Sequence, residues 1–247
     1  MFFEYQKKKV YCSLSGSGSP VLLLHGWGCD SGIFRSFVPR LERSHTVVVP
    51  DFPGFGKSDE PSGVWGVREY TDCIAALCDF LGVESPCVVG HSFGGRVAVM
   101  LASVRPVSRL VLTDAAGVKP VRSLKYYLKV YSYKVTKFLM LEVLRDRDLY
   151  ERYRATKGSE DYRNASPVMK AVLSRVVGED LTRLMPSITI PVLLFWGEND
   201  SATPLRDAHI MEKLFSDCAL ITVPGAGHFS FLEAPVMFAK VLDSFLI

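Results

Sequence analysis

Gly90-His91-Ser92-Phe93-Gly94-Gly95 follows the apolar run Cys87-Val88-Val89 and leads straight into Arg96-Val97-Ala98-Val99-Met100-Leu101-Ala102. A β-branched run, a glycine-framed serine and a helix-forming stretch read as strand, tight turn and helix. The Gly-x-Ser-x-Gly spacing has a mechanical reason: a sharp, strained turn lifts the serine hydroxyl above a sheet, and only glycine fits where the backbone crowds the neighbouring strand and helix. A helix that begins at Ser92 also points its N-terminal dipole at any negative charge developing there.

Outward from this unit, β-branched runs at 46–49, 110–112, 192–196 and 219–223 alternate with helix-length amphipathic stretches at about 31–43, 67–81, 95–104, 205–216 and 233–246. Short apolar strands separated by helices predict βαβ units around a buried parallel sheet. Ahead of them, 2–5, 10–14 and 21–24 read as strands without helices, broken by Ser15-Gly16-Ser17-Gly18-Ser19. The rhythm stops between about Val118 and Pro186, where no strand signal appears and Leu124, Tyr127, Leu128, Tyr131, Val135, Phe138 and Leu139 recur at helical spacing. The chain therefore divides into a core, 1–117 and 187–247, and a helical insertion, 118–186. The insertion holds seven of the ten tyrosines, and from Lys119 to Lys157 it carries eleven Lys/Arg against four Asp/Glu.

Composition narrows the class. At 247 residues, with 48% hydrophobic and 22% charged residues, the chain has enough material for one full-sized core. A net charge of +3 is too mild for a nucleic-acid binder. The N-terminus lacks the apolar stretch of a secretory signal, and no run is long enough to span a membrane, so no stable membrane insertion and a cytoplasmic location are expected. The six cysteines form no Cys-x-x-Cys pair, and His-Glu-x-x-His is absent, so neither a metal nor a cofactor is expected. Gly56-Lys57-Ser58 imitates the end of a phosphate loop, but Asp51 stands where its first glycine belongs.

A serine hydroxyl needs a base within hydrogen-bond reach and an acid to orient that base. His228 lies in the glycine-rich loop Pro224-Gly225-Ala226-Gly227-His228 after the last strand, at the carboxyl edge of the sheet, where open α/β folds build sites. His45 and His209 read as surface or packing residues. For the acid, Asp200 in Gly197-Glu198-Asn199-Asp200 is favoured over Glu198 and over Asp114, which also sit near strand ends. The order Ser92, Asp200, His228 belongs to one hydrolase architecture and not to the two best-known protease ones. Val21-Leu22-Leu23-Leu24-His25-Gly26-Trp27-Gly28 offers a strand and a glycine-framed turn, so the backbone N–H groups of Trp27 and Phe93 are the expected oxyanion donors. His25 reads as a brace for that loop rather than a proton carrier. It completes, with Trp27, Tyr127 and Tyr131, the expected substrate-binding set.

Together, His25-Gly26-Trp27-Gly28, Asp51-Phe52-Pro53-Gly54-Phe55-Gly56-Lys57-Ser58, Gly90 to Gly95, Gly197 to Asp200 and Gly225 to His228 resemble the α/β-hydrolase superfamily. The resemblance spans nearly the whole chain. It implies an eight-stranded, mostly parallel sheet flanked by helices, a triad of Ser92, Asp200 and His228, and a helical cap after the sixth strand, where the insertion falls. Serine at position 92 argues against the dehalogenase and epoxide hydrolase branches, which use aspartate. Esters, thioesters, lactones, amides and certain C–C bonds remain, and a carboxylic ester, with an acidic one as an option, is the expected substrate. The competing class is a non-enzymatic small-molecule receptor of the same fold.

Overall fold

The structure, a computed structural model, describes residues 1–120, 131–133, 135–155 and 165–246. Its strands are β1 (Phe2–Tyr5), β2 (Lys8–Ser15), β3 (Ser19–Leu24), β4 (His45–Pro50), β5 (Cys87–His91), β6 (Arg109–Thr113), β7 (Val192–Gly197) and β8 (Cys218–Val223). They form one sheet in the order β1-β2-β4-β3-β5-β6-β7-β8. The β1–β2 and β2–β4 pairings are antiparallel and the other five are parallel, giving the mostly parallel eight-stranded sheet expected.

Both faces of the parallel strands are buried, and their alternate residues part company. Leu22, Leu24, Val88, Leu110, Leu112, Leu194 and Trp196 join one apolar cluster, beside α2 (Val67–Leu81), α3 (Phe93–Val104) and α6 (Leu205–Leu214). Val21, Leu23, Val89, Val111, Leu193 and Phe195 join another, with Phe34, Phe37 and α8 (Pro235–Leu246). Full burial of one such side chain contributes about 1.5–3 kcal/mol relative to exposure. A one-residue slip would exchange the two faces, so the register that places the strand ends is well determined.

One helix departs from expectation. The stretch at 31–43 is not one helix but a 3₁₀ turn, Ser31–Phe34, and a single turn α1, Val38–Leu41. Asp30 caps the first by accepting from Gly32 N at 2.8 Å, and Pro39, which lacks an N–H, starts the second. The last expected stretch, 233–246, is α8, and a single helical turn, α7 (Ser230–Glu233), precedes it. Ala234 between them leaves the helical region (φ −123, ψ 56) because Pro235 follows it.

Between β6 and β7 the described residues contain no strand. They include a π-helical turn at Leu139–Val143, α4 (Arg147–Ala155), α5 (Pro167–Val176) and a 3₁₀ turn at Met185–Ser187. α5 is docked on the sheet layers: Met169, Val172 and Val176 enter the first cluster, and Arg175 donates to Val64 O at 2.7 Å and pairs with Glu69. Tyr127 and Lys125, Lys129 and Lys134 of the basic segment lie outside the described residues. No described helix is long and apolar enough to cross a membrane.

Candidate active site

Ser92 caps α3 at φ +50 and ψ −113, a conformation that L-residues adopt only under constraint. The constraint is visible on both sides. Ser92 N donates to Thr113 O at 3.2 Å, and Ser92 O accepts from Gly95 N at 3.0 Å and Ala116 N at 2.9 Å. The glycines are there for space. A Cβ on Gly90 would lie 2.7 Å from Gly94 O, and one on Gly94 would run into the Leu24 carbonyl.

The turn aims Ser92 Oγ at an imidazole. His228 Nε2 lies 2.9 Å from Ser92 Oγ, and His228 Nδ1 lies 2.8 Å from Asp200 Oδ2. Asp200 is itself held: Oδ1 accepts from Ala202 N at 2.7 Å and Thr203 N at 3.0 Å, and Oδ2 accepts from Thr203 Oγ1 at 2.7 Å. Burial alone would raise the Asp200 carboxyl, but the hydrogen bonds from His228 and Thr203 outweigh it and keep the group below its ordinary value. An ionised Asp200 fixes the proton of neutral His228 on Nδ1, leaving Nε2 free to accept from the serine. Glu198, by contrast, is exposed and accepts from Thr222.

The strand-end loop after β3 packs on the same serine. A Cβ on Gly26 would lie 3.2 Å from Ser92 Cβ, and the Trp27 ring sits 5.7 Å from that of Phe93. Trp27 N–H enters no hydrogen bond among the described residues, and Phe93 N–H, on the first helical residue, has no partner one turn back. Two free donors therefore stand next to the nucleophile position. A cavity of about 380 Å³ opens beside it, lined by Trp27, Ser92, Phe93 and apolar side chains including Val118, Leu173 and Val176.

A family model described as alpha/beta hydrolase fold matches residues 19–235. The chain is an α/β-hydrolase. It is similar to a 2-hydroxymuconate semialdehyde hydrolase of Pseudomonas sp. (strain CF600), 29% identical over 94% of this chain and 88% of that protein. A pimeloyl-[acyl-carrier protein] methyl ester esterase of Nitrosomonas europaea is 27% identical over 95% of this chain and 98% of its own. Among solved structures, an esterase from Exiguobacterium antarcticum superposes with a TM-score of 0.77 at 24% identity, covering 99% of this chain and 98% of the other.

Two members of the expected substrate-binding set are placed elsewhere in this α/β-hydrolase. His25 is fully buried and does not line the cavity: its Nε2 accepts from Phe52 N at 2.9 Å, so Nδ1 carries the proton to Gly26 O at 2.7 Å. It braces the loop, and contact with substrate is corrected to support of the residues beside it. Tyr131 is exposed on the surface of the inserted segment and is not among the described residues that line the cavity. Among the described residues no group of three or more His, Cys, Asp or Glu is arranged to hold a metal.

Buried histidines give this α/β-hydrolase a calculable response to acid. Burial lowers His25 to about 4, and burial followed by the neighbouring His228 lowers His91 to about 3, both from 6.5. Between pH 4 and 6.5 the unfolded chain thus holds about two protons that the folded chain refuses. Asp114, pushed up by burial from 3.8 to about 7, works in the opposite sense and returns about one. The difference predicts a loss of stability of roughly 1 kcal/mol per pH unit on acidification between about pH 6 and 4.5. Urea unfolding at pH 7, 6 and 5 measures it, and a stability that rises toward pH 5 contradicts it.

Proposed function

We propose that this α/β-hydrolase cleaves a carboxylic ester through an acyl-enzyme on Ser92. The observation that carries the reading is the unbroken line from Ser92 Oγ through His228 to Asp200, with both hydrogen bonds under 3 Å. In the first half-reaction Ser92 Oγ attacks the ester carbonyl while its proton passes to His228 Nε2. Asp200 stabilises the resulting imidazolium, and the N–H groups of Trp27 and Phe93 receive the oxyanion. Collapse of the tetrahedral intermediate breaks the C–O bond, and the imidazolium gives its proton to the departing alcohol. Water, deprotonated by His228, then attacks the acyl-enzyme, and a second collapse releases the acid and restores the serine. Every proton borrowed by the imidazole is returned within the cycle.

The segment between β6 and β7 acts in this reading as a cap, since Val118, Pro120, Leu173, Val176 and Val177 from it line the cavity. Thioesters and lactones pass through the same acyl-enzyme, hydrolysis of a C–C bond is the second reading, and the similarity to a 2-hydroxymuconate semialdehyde hydrolase is why a substrate other than an ester is kept in the test. Short p-nitrophenyl esters should show a burst of one p-nitrophenol per chain followed by turnover, and a fluorophosphonate should label Ser92. Stoichiometric binding without turnover across esters, thioesters, lactones and vinylogous diketones would instead favour a receptor.

A further inference from the structure

Asp114 lies beside the site but touches neither the serine nor the imidazole, and it is more deeply buried than Asp200, which does meet the imidazole. It ends β6 at φ +45, a left-handed conformation at a residue with a side chain. Its backbone N donates to Phe195 O at 3.1 Å, and its O lies 2.9 Å from Thr203 Oγ1, whose single proton goes to the nearer Asp200 Oδ2. The strained turn throws the carboxylate between two loops that are far apart in sequence. Oδ1 accepts from Gly197 N at 2.8 Å, where the loop to Asp200 begins. Oδ2 accepts from Ser230 N at 2.9 Å and Ser230 Oγ at 2.6 Å, two residues after His228.

We propose that Asp114 is a positioning residue, a carboxylate clamp that holds the Asp200 loop and the His228 loop at the separation their hydrogen bond requires. The proposal rests on the reading of Ser92, His228 and Asp200 as the reacting set. The physical ground is that beyond β7 and β8 the two loops share only Glu198 N to Val223 O at 3.2 Å, Asn199 N to Ala226 O at 2.9 Å and an Asn199 side-chain contact, all before Asp200 and His228 themselves, so Asp114 adds the bridge that reaches past His228 to Ser230. Three donors converge on the Asp114 carboxyl, and above about pH 7, where this buried group ionises, each of those hydrogen bonds is charge-assisted, so the bridge is strongest there. Carrying it has a cost: burial first, and the nearby Asp200 second, disfavour its charged form, and its φ is strained. An apolar residue would keep the strained φ and leave Gly197 N–H, Ser230 N–H and the Ser230 hydroxyl without their acceptor, so the position calls for a short polar side chain that accepts on both sides.

Asp114→Asn keeps the shape and removes the pattern. An amide presents one oxygen and one NH₂, so either Gly197 N–H or the Ser230 pair faces a donor. We expect kcat to fall about thirtyfold with KM within about twofold, since displacement of an aligned base by less than 1 Å costs rate rather than substrate affinity. Ser230→Ala, which removes one of the three donors and leaves the backbone bond, should cost about threefold. The double variant should be no worse than Asp114→Asn alone, because both act through one clamp. Asp114→Glu should not rescue it, since an extra methylene has no room in a fully buried site. A second readout does not depend on turnover: the downfield Nδ1–H resonance of His228 that its 2.8 Å bond to Asp200 should give in the wild type is expected to shift or broaden in Asp114→Asn. Should the wild type prove inactive on every ester, the ester reading fails and the resonance alone judges the clamp. An Asp114→Asn protein with a lower Tm but unchanged kcat and unchanged resonance would overturn the proposal and leave Asp114 a purely structural residue.

Discussion

Ser92→Ala should abolish ester turnover, lowering kcat by about a million-fold, the scale measured for removal of a triad serine in other hydrolases. The loss is expected to be that large because Oγ has one interaction, with His228 Nε2 at 2.9 Å, and no other hydroxyl among the cavity-lining residues has an imidazole at hydrogen-bond distance in the same way. Thr203, whose hydroxyl lies 3.3 Å from His228 Nδ1, faces the wrong nitrogen and already donates to Asp200. Folding should survive, because the constraints on residue 92 are made by its backbone N and O. A companion variant separates chemistry from strain. Ser92→Gly relieves a conformation costing about 1–3 kcal/mol and gives back about 0.5–1 kcal/mol of chain entropy, so it should be more stable than wild type by about 1 kcal/mol while equally inactive. Kinetics on p-nitrophenyl butyrate with urea unfolding of the three proteins test both statements. Residual activity within a hundredfold of wild type in Ser92→Ala would remove the acyl-enzyme mechanism.

The parts of this molecule that could be read from its sequence are those set by local backbone demands. Runs such as Cys87-Val88-Val89 announce strands because both faces of each are buried, so every position must be apolar. Gly90 and Gly94 announce the turn because a Cβ would meet backbone, and no distant residue can change that. What depends on long-range approach was ambiguous. Asp114 and Asp200 both follow a strand and are both buried, and only the path of the loops decides which one reaches the imidazole. His25 resembled a substrate contact because a histidine in a glycine-framed loop looks the same whether it faces cavity or core. The N–H that claims it belongs to Phe52, 27 residues further on.

Asp200→Asn should lower kcat by about ten-thousand-fold while leaving the fold and KM nearly intact, and the reason lies in which atom carries a proton. Oδ1 receives Ala202 N and Thr203 N, so an asparagine will keep its oxygen there, where two backbone donors need an acceptor. Its NH₂ then occupies the Oδ2 position, 2.8 Å from His228 Nδ1, and can only donate. The imidazole answers by moving its proton to Nε2, which then confronts Ser92 Oγ with a donor in place of a base. Thr203 Oγ1 loses its acceptor but has Asp114 O at 2.9 Å to turn to, so no buried hydroxyl is stranded. The outcome is a folded protein with the wrong tautomer, distinguishable from an unfolded one by an unchanged unfolding midpoint near pH 7. Asp114→Asn makes the contrast, because its carboxylate never meets the imidazole and should cost tens-fold rather than thousands-fold. If the two variants were equally impaired, or if Asp114→Asn were the worse, the assignment of the acid to the loop after β7 would have to be exchanged for the one after β6.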